Sequence, residues 1–132
     1  MKNFMISILF VISFLHADIE VIISSACKVE TLSQHEIKNI FMLKRKMIED
    51  QSITILESSD KETYTHFIKL YLKKSRRKMK VYWTRMLFTG KKIPPQKVSS
   101  KELKLLDGCT RCYISYLPIE KKPEDWNILT IK

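Results

Sequence analysis

Apolar positions alternate with polar ones in four short segments of the chain, a pattern typical of strands. The predicted strands cover residues 18–24, 52–57, 113–117 and 126–131. The first segment contains Ile22 between alternating apolar residues, so it is apolar on both faces and belongs inside a sheet.

Apolar residues at helical spacing follow a serine in four further segments, which predicts four helices. The predicted N-caps are Ser33, Ser59, Ser75 and Ser99. Segment 89–98, which contains Gly90 and the pair Pro94-Pro95, is predicted to be a loop. The order β-α-β-α-α-α-β-β favours an α/β fold, a sandwich with a mixed sheet flanked by helices.

The large apolar residues on these stripes predict the core. They are Phe41, Phe67, Trp83, Phe88 and Ile114. Each lies on the apolar stripe of a helix or inside a strand, so we expect all five between the helices and the sheet.

The N-terminus has the pattern of a secretory signal peptide. Lys2 precedes an apolar run over residues 4–15, and Ala17 offers a small residue for cleavage before Asp18. This predicts a signal peptide at residues 1–17, a mature domain at residues 18–132 and a periplasmic or secreted location. The run is too short to span a bilayer, so no transmembrane segment is expected after signal removal.

Two alternatives remain for the N-terminus. The run could be a buried N-terminal helix of the fold, or Ser24-Ser25-Ala26-Cys27 could be a lipoprotein processing site.

Basic residues exceed acidic ones, 24 to 14, for a net charge of +10. Between positions 61 and 104 there are 14 basic residues and two acidic ones. The densest group, here called the basic patch, comprises Lys73, Lys74, Arg76, Arg77, Lys78 and Lys80. It predicts contact with an anionic surface or an envelope protein, with a solvated face as the alternative. Export argues against nucleic acid.

Three cysteines fit an oxidising compartment with one disulfide and one spare thiol. We expect Cys27 to pair with Cys109 or Cys112, and a local Cys109–Cys112 bridge is the alternative. The C-x-x-C of 109–112 lies between a helix end and a strand, so a thiol-active enzyme or a zinc site is a weaker hypothesis.

No catalytic constellation is present. The chain has two glycines, Gly90 and Gly108, which excludes a phosphate-binding P-loop or a dinucleotide-binding motif. The histidines and acidic residues form no Ser/His/Asp set or carboxylate pair. The sequence therefore predicts a non-enzymatic protein without a metal or cofactor.

Three blocks in order resemble small proteins related to phosphate-transport substrate-binding proteins, of the type II periplasmic-binding-protein fold. The blocks are 32–44 with Ile40-Phe41, 82–95 with Tyr82-Trp83, Phe88-Thr89-Gly90 and Pro94-Pro95, and 112–116 with Tyr113-Ile114-Ser115-Tyr116. The resemblance implies a single-lobe periplasmic-binding-protein-like sandwich. Leu43 and Ser115 stand where the family pattern has glycine.

The resemblance also implies where a ligand would bind. Full-length phosphate-binding proteins have an arginine and a Ser-Gly-Thr run at a strand end and the following helix start. Ser58, Ser59 and Thr63 are the corresponding candidate ligand-binding residues, but Glu57 replaces the arginine and Lys61-Glu62 replace Ser-Gly. A carboxylate would repel phosphate, so we expect no binding of free phosphate.

The leading hypothesis is an exported binding protein that resembles one lobe of such a receptor and binds a ligand or a partner in the cell envelope. The alternative is an accessory envelope protein that keeps the fold, has no small-molecule ligand and uses the basic patch for contact.

Overall fold

The computed structural model describes residues 18–132, and the predicted signal peptide lies outside the described residues. The strands are β1 (Ile19–Ile23), β2 (Thr31–Leu32), β3 (Met47–Ile48), β4 (Gln51–Ser52), β5 (Thr54–Ser58), β6 (Gln96–Val98), β7 (Tyr113–Pro118), β8 (Asn127–Ile128) and β9 (Thr130–Ile131). The helices are α1 (Gln34–Phe41), α2 (Lys61–Phe67), α3 (Arg76–Phe88) and α4 (Ser100–Leu105), with a π-helical turn at Ile68–Leu72 and a 3₁₀ turn at Ile119–Lys121.

The main sheet has five strands in the order β6-β5-β7-β1-β8. Strand β5 runs parallel to β6 and β7, whereas β1 runs antiparallel to β7 and β8. The last residues of the three parallel strands, Ser58, Val98 and Pro118, therefore lie at one edge of the sheet, which we call the carboxyl edge. The predicted mixed sheet with flanking helices is confirmed.

Apolar side chains cover both faces of this sheet. On one face Phe67 stacks on Tyr116 with ring centroids 3.6 Å apart and meets Phe41 edge-on at 4.7 Å. On the other face a smaller cluster includes Trp126 and Leu103 of α4. A sheet buried on both sides leaves no ordinary place for a charged side chain, which makes the position of Glu57 in β5 unusual.

Local sequence signals placed the helix starts well. Ser33, Ser75 and Ser99 are confirmed as N-caps, since each hydroxyl accepts a backbone N–H three residues later. The expectation that Ser59 caps α2 was wrong. Asp60 caps it, because the Ser59 N–H donates to the Val98 carbonyl at 2.9 Å and holds Ser59 against β6.

The core prediction was right for three of its five residues. Phe41, Phe67 and Ile114 are fully buried, but Trp83 is half-buried and Phe88 is 88% exposed. Helix α3 buries only Met79, so its last turn carries Phe88 into solvent. The apolar stripe of α3 thus packs against the core through Met79, Tyr82 and Trp83 and becomes exposed at Leu87 and Phe88.

Strand pairing between distant segments makes the structure differ from two further secondary-structure predictions. The predicted loop 89–98 ends in β6, which pairs with β5. The predicted strand 126–131 is split at Leu129, whose N–H donates to the Val21 carbonyl while the flanking residues pair with β1 and β2. Strands this short carry too little alternation to be seen in sequence.

Candidate binding site

The three candidate ligand-binding residues come together at the carboxyl edge. Ser58, Ser59 and Thr63 line a cavity of about 280 Å³ between the starts of α2 and α4. The structure therefore brings these three residues together at the end of β5.

The hydrogen-bond donors of this cavity at the start of α2 are already used within the chain. The Asp60 carboxylate accepts the Thr63 N–H at 3.0 Å and the Thr63 hydroxyl at 2.7 Å, and these bonds lower the pKa of Asp60. The Ser58 hydroxyl accepts the Asp60 N–H at 3.1 Å. A bound anion would have to compete with the Asp60 carboxylate for the same donors, so this cavity is a poor anion site.

A second and larger cavity lies beside it, and we call it the Glu57 cleft. It has a volume of about 570 Å³ and lies between α2, α3, the loop after α3, β5 and β6. Its lining residues are Glu57, Ser58, Ser59, Lys61, Tyr64, Arg76, Lys80, Trp83, Thr84, Leu87, Pro94, Pro95 and Lys97.

Glu57 is 3% exposed and forms the inner end of the cleft. The Tyr116 hydroxyl donates to Glu57 Oε2 and itself accepts the Ser58 N–H at 3.2 Å. Glu57 Oε1 has no hydrogen-bond partner among the described residues. A buried carboxylate oxygen without a partner is a costly arrangement that a bound donor would relieve.

Burial raises the pKa of Glu57 to about 7, against the smaller lowering effects of the Tyr116 hydrogen bond and of Lys97. Burial and Glu57 also shift the pKa values of the two neighbouring tyrosines. Burial and the nearby Glu57 carboxylate raise the pKa of Tyr64 to about 12 and raise that of Tyr116 further. The side chain of Glu57 can therefore change charge near neutral pH, while both tyrosines stay protonated.

The structure divides the basic patch between two surfaces. Arg76 and Lys80 line the Glu57 cleft, whereas Arg77 and Lys78 lie around a separate shallow depression beside Tyr82. Lys73 is the C-cap of the π-helical turn and lines neither, whereas Lys74 lies at the same shallow depression as Arg77 and Lys78. Within residues 18–132, no patch member forms an ion pair with a carboxylate.

The cysteines lie away from both cavities. A disulfide joins Cys27, which follows β1, to Cys112, which precedes β7, with Cα atoms 4.7 Å apart. This is the edge of the sheet opposite the carboxyl edge, and Cys109 is a free thiol. Among the described residues, no group of three or more His, Cys, Asp or Glu side chains could hold a metal ion.

No protein-family model and no curated protein matches the sequence. A solved structure does match: the crystal structure of an ABC-type phosphate transport receptor from Vibrio cholerae aligns with a TM-score of 0.62 and 13% identity. The fold is periplasmic-binding-protein-like. The alignment covers 86% of this chain and 45% of the receptor chain, so this chain spans less than half of the receptor's length. At this identity the likeness establishes the fold alone.

The expected periplasmic-binding-protein-like fold is thus confirmed. In the described part of the chain, no helix is long and apolar enough to cross a membrane.

From the sequence, Glu57 was interpreted only as the residue that replaces an arginine of the family pattern, and no cleft was predicted around it. The signal was available, because Glu57 shares a sheet face with Ile55 in a strand that is apolar on both faces. The sequence prediction also did not include Tyr64, Trp83 and Lys97 among the binding residues, although they line the cleft from three different elements.

Proposed function

We propose that this chain is an exported, non-enzymatic binding protein that holds a small ligand in the Glu57 cleft. The observation that carries the proposal is a buried carboxylate that lines the cleft and whose Oε1 has no hydrogen-bond partner within residues 18–132. A buried polar group without a partner requires an explanation, and a ligand in the cleft would supply one. The likeness to a transport receptor supports a binding role and offers no support for an enzymatic one.

A thermal-shift screen tests this function, since a ligand that binds only the folded state raises the melting temperature. The double variant Arg76→Gln with Lys80→Gln removes two cations from the cleft. The matched control, Arg77→Gln with Lys78→Gln, removes the same charge from the same helix outside the cleft. At least one anion or polar metabolite should shift the wild type and the control but not the cleft variant. A screen with no such compound would refute the proposal.

Export is a separate part of the proposal, and it rests on Lys2, the apolar run 4–15 and Ala17. Intact-mass measurement on envelope material should give a chain that begins at Asp18. A chain that begins at Met1 would contradict export, and a lipidated Cys27 would support the lipoprotein alternative.

A second candidate function uses the part of the basic patch outside the cleft. Lys73, Arg77 and Lys78 are exposed, Lys74 is partly exposed, and none of the four has a carboxylate partner within residues 18–132. We propose contact with an anionic envelope surface as the alternative role. Co-sedimentation with phosphatidylglycerol vesicles tests it: changing these four residues to Gln should abolish binding, and the cleft variant should retain it.

A further inference from the structure

The Glu57 cleft has three distinct chemical zones. Its inner end carries a carboxyl group whose Oε1 lacks a partner within residues 18–132. A ligand must therefore bring a hydrogen-bond donor to the inner end if binding is to be favourable there. When Glu57 is protonated, the same ligand group must be able to accept. A hydroxyl group meets both requirements, because it donates and accepts.

The wall of the cleft is apolar and flat. Trp83 is half-buried, packs edge-on against Tyr82 with ring centroids 4.9 Å apart, and lines the cleft. Pro94 and Pro95 line the same cavity. The ring of Tyr64 is already covered, since Lys97 Nζ lies 4.9 Å from its centroid. The wall thus suits a ring with apolar C–H surface, and inorganic anions have none.

The rim of the cleft is positively charged. Its cations are Lys61, Arg76, Lys80 and Lys97. No carboxylate within the described residues lies within ion-pair distance of any of them. A ligand with a cationic ammonium could satisfy Glu57, but four rim cations would repel it. The rim favours a ligand with net negative charge.

We propose that the Glu57 cleft binds a hydroxylated organic anion, of the class of sugar phosphates and sugar acids. A ligand hydroxyl bonds Glu57 Oε1, the ring packs on Trp83, and the phosphate or carboxylate meets Arg76 and Lys80. This inference rests on the proposed binding function and adds the class of ligand. Neutral sugars lack the charge, and inorganic phosphate lacks the ring.

Isothermal titration calorimetry of the purified protein tests the inference with four probes: glucose 6-phosphate, glucuronate, glucose and inorganic phosphate. At least one of the two charged sugars should bind tenfold or more tightly than both glucose and phosphate. Which of the two binds more tightly separates a phosphate from a carboxylate as the anionic group. If inorganic phosphate binds as tightly as the charged sugars do, the proposed ligand class is wrong.

The cleft variants locate the binding. Arg76→Gln with Lys80→Gln should weaken binding of the charged sugar at least tenfold, and Arg77→Gln with Lys78→Gln should leave it within twofold. Glu57→Leu should weaken it as well, because leucine cannot bond the ligand hydroxyl, and a melting curve will show whether that variant folds. If it does not fold, Trp83→Leu takes its place and should also weaken binding. Equal weakening by both double variants would mean nonspecific charge attraction and would overturn the site.

The outcomes separate this inference from the function on which it rests. If some other compound raises the melting temperature only when Arg76 and Lys80 are present, the cleft is a binding site and the ligand class is wrong. If no compound does so, both proposals fail.

Discussion

Glu57 is the residue with the largest conflict between its chemistry and its surroundings. Its ionised form lies in an apolar interior, where within residues 18–132 it accepts a hydrogen bond from Tyr116 and has Lys97 as a nearby cation. The groups that face it from α2 and β7, Tyr64 and Tyr116, remain neutral across the physiological range because the pKa of each is raised. The charge state of the inner end of the cleft therefore depends on Glu57 itself.

The raised pKa of Glu57 predicts how the free energy of unfolding changes with pH. The pKa of Glu57 is about 7 in the folded chain against an ordinary value of 4.5, so the folded state binds more protons between these pH values. Stability should therefore fall as pH rises from about 4.5 to 7, by roughly 3 kcal/mol in all. Urea unfolding at several pH values measures this.

Glu57→Gln should remove that fall in stability, because the amide cannot ionise. The exposed Glu62→Gln is the control and should keep the wild-type slope. Asp60 and Glu36 have lowered pKa values and act in the opposite direction, but only at more acidic pH. A flat wild-type profile between pH 5 and 7 would contradict the assignment.

Two phenylalanines that the sequence placed in the same core should behave very differently. Phe67 is fully buried between Phe41 and Tyr116, so Phe67→Ala should lower the free energy of unfolding by about 3–5 kcal/mol. Phe88 is exposed, so Phe88→Ala should change it by less than about 0.5 kcal/mol. Chemical denaturation of both variants checks this, and a large loss for Phe88→Ala would place that ring in an interface.

Among the elements, the π-helical turn after α2 gives a test of backbone strain. It ends at Lys73, which is exposed and has a φ of 56°, a left-handed conformation that disfavours residues with a Cβ atom. Lys73→Gly should therefore stabilise the protein by roughly 0.5–1 kcal/mol. Lys69→Gly, an exposed change inside the same turn, should destabilise it by about 1 kcal/mol. Chemical denaturation measures both effects as shifts of the midpoint at an unchanged m-value. If both variants shift the midpoint in the same direction, the backbone at Lys73 is not strained.

A similar strain occurs at Leu43, where the resemblance expects glycine. Its φ is also 56°, and its side chain packs against the main core. The sequence pattern thus marked a position that needs a left-handed backbone, although this chain fills it with leucine. The other replaced glycine, Ser115, lies in β7, where its hydroxyl donates to the Leu56 carbonyl at 2.8 Å.

Helices and long strands were predictable because their signals are local. A cap such as Ser75 and the residues that follow it lie in one short segment, and so do the alternating residues of β1 and β7. Strands β2, β3, β4 and β9 have two residues each and exist because of partners far along the chain. The cleft was unpredictable for the same reason, since five separate segments form it.

For the molecule as a whole, the arrangement of charges predicts the response to phosphate. The donors at the start of α2 are occupied by Asp60, and the position expected to hold an arginine holds Glu57. Calorimetry with millimolar phosphate should show no saturable heat. A dissociation constant in the low micromolar range would restore a phosphate-receptor role.

The disulfide also determines the order in which the chain can be oxidised. Its two cysteines are 85 residues apart, whereas the free Cys109 lies three residues from Cys112. Short loops close more readily than long ones, so the first bond formed in a reduced, unfolded chain should be the non-native Cys109–Cys112 pair. Cys27 must then attack that bond before the native pairing exists. Cys109→Ser should shorten oxidative refolding, as followed by mass spectrometry of trapped thiols, and an unchanged rate would mean that folding brings Cys27 to Cys112 before any bond forms.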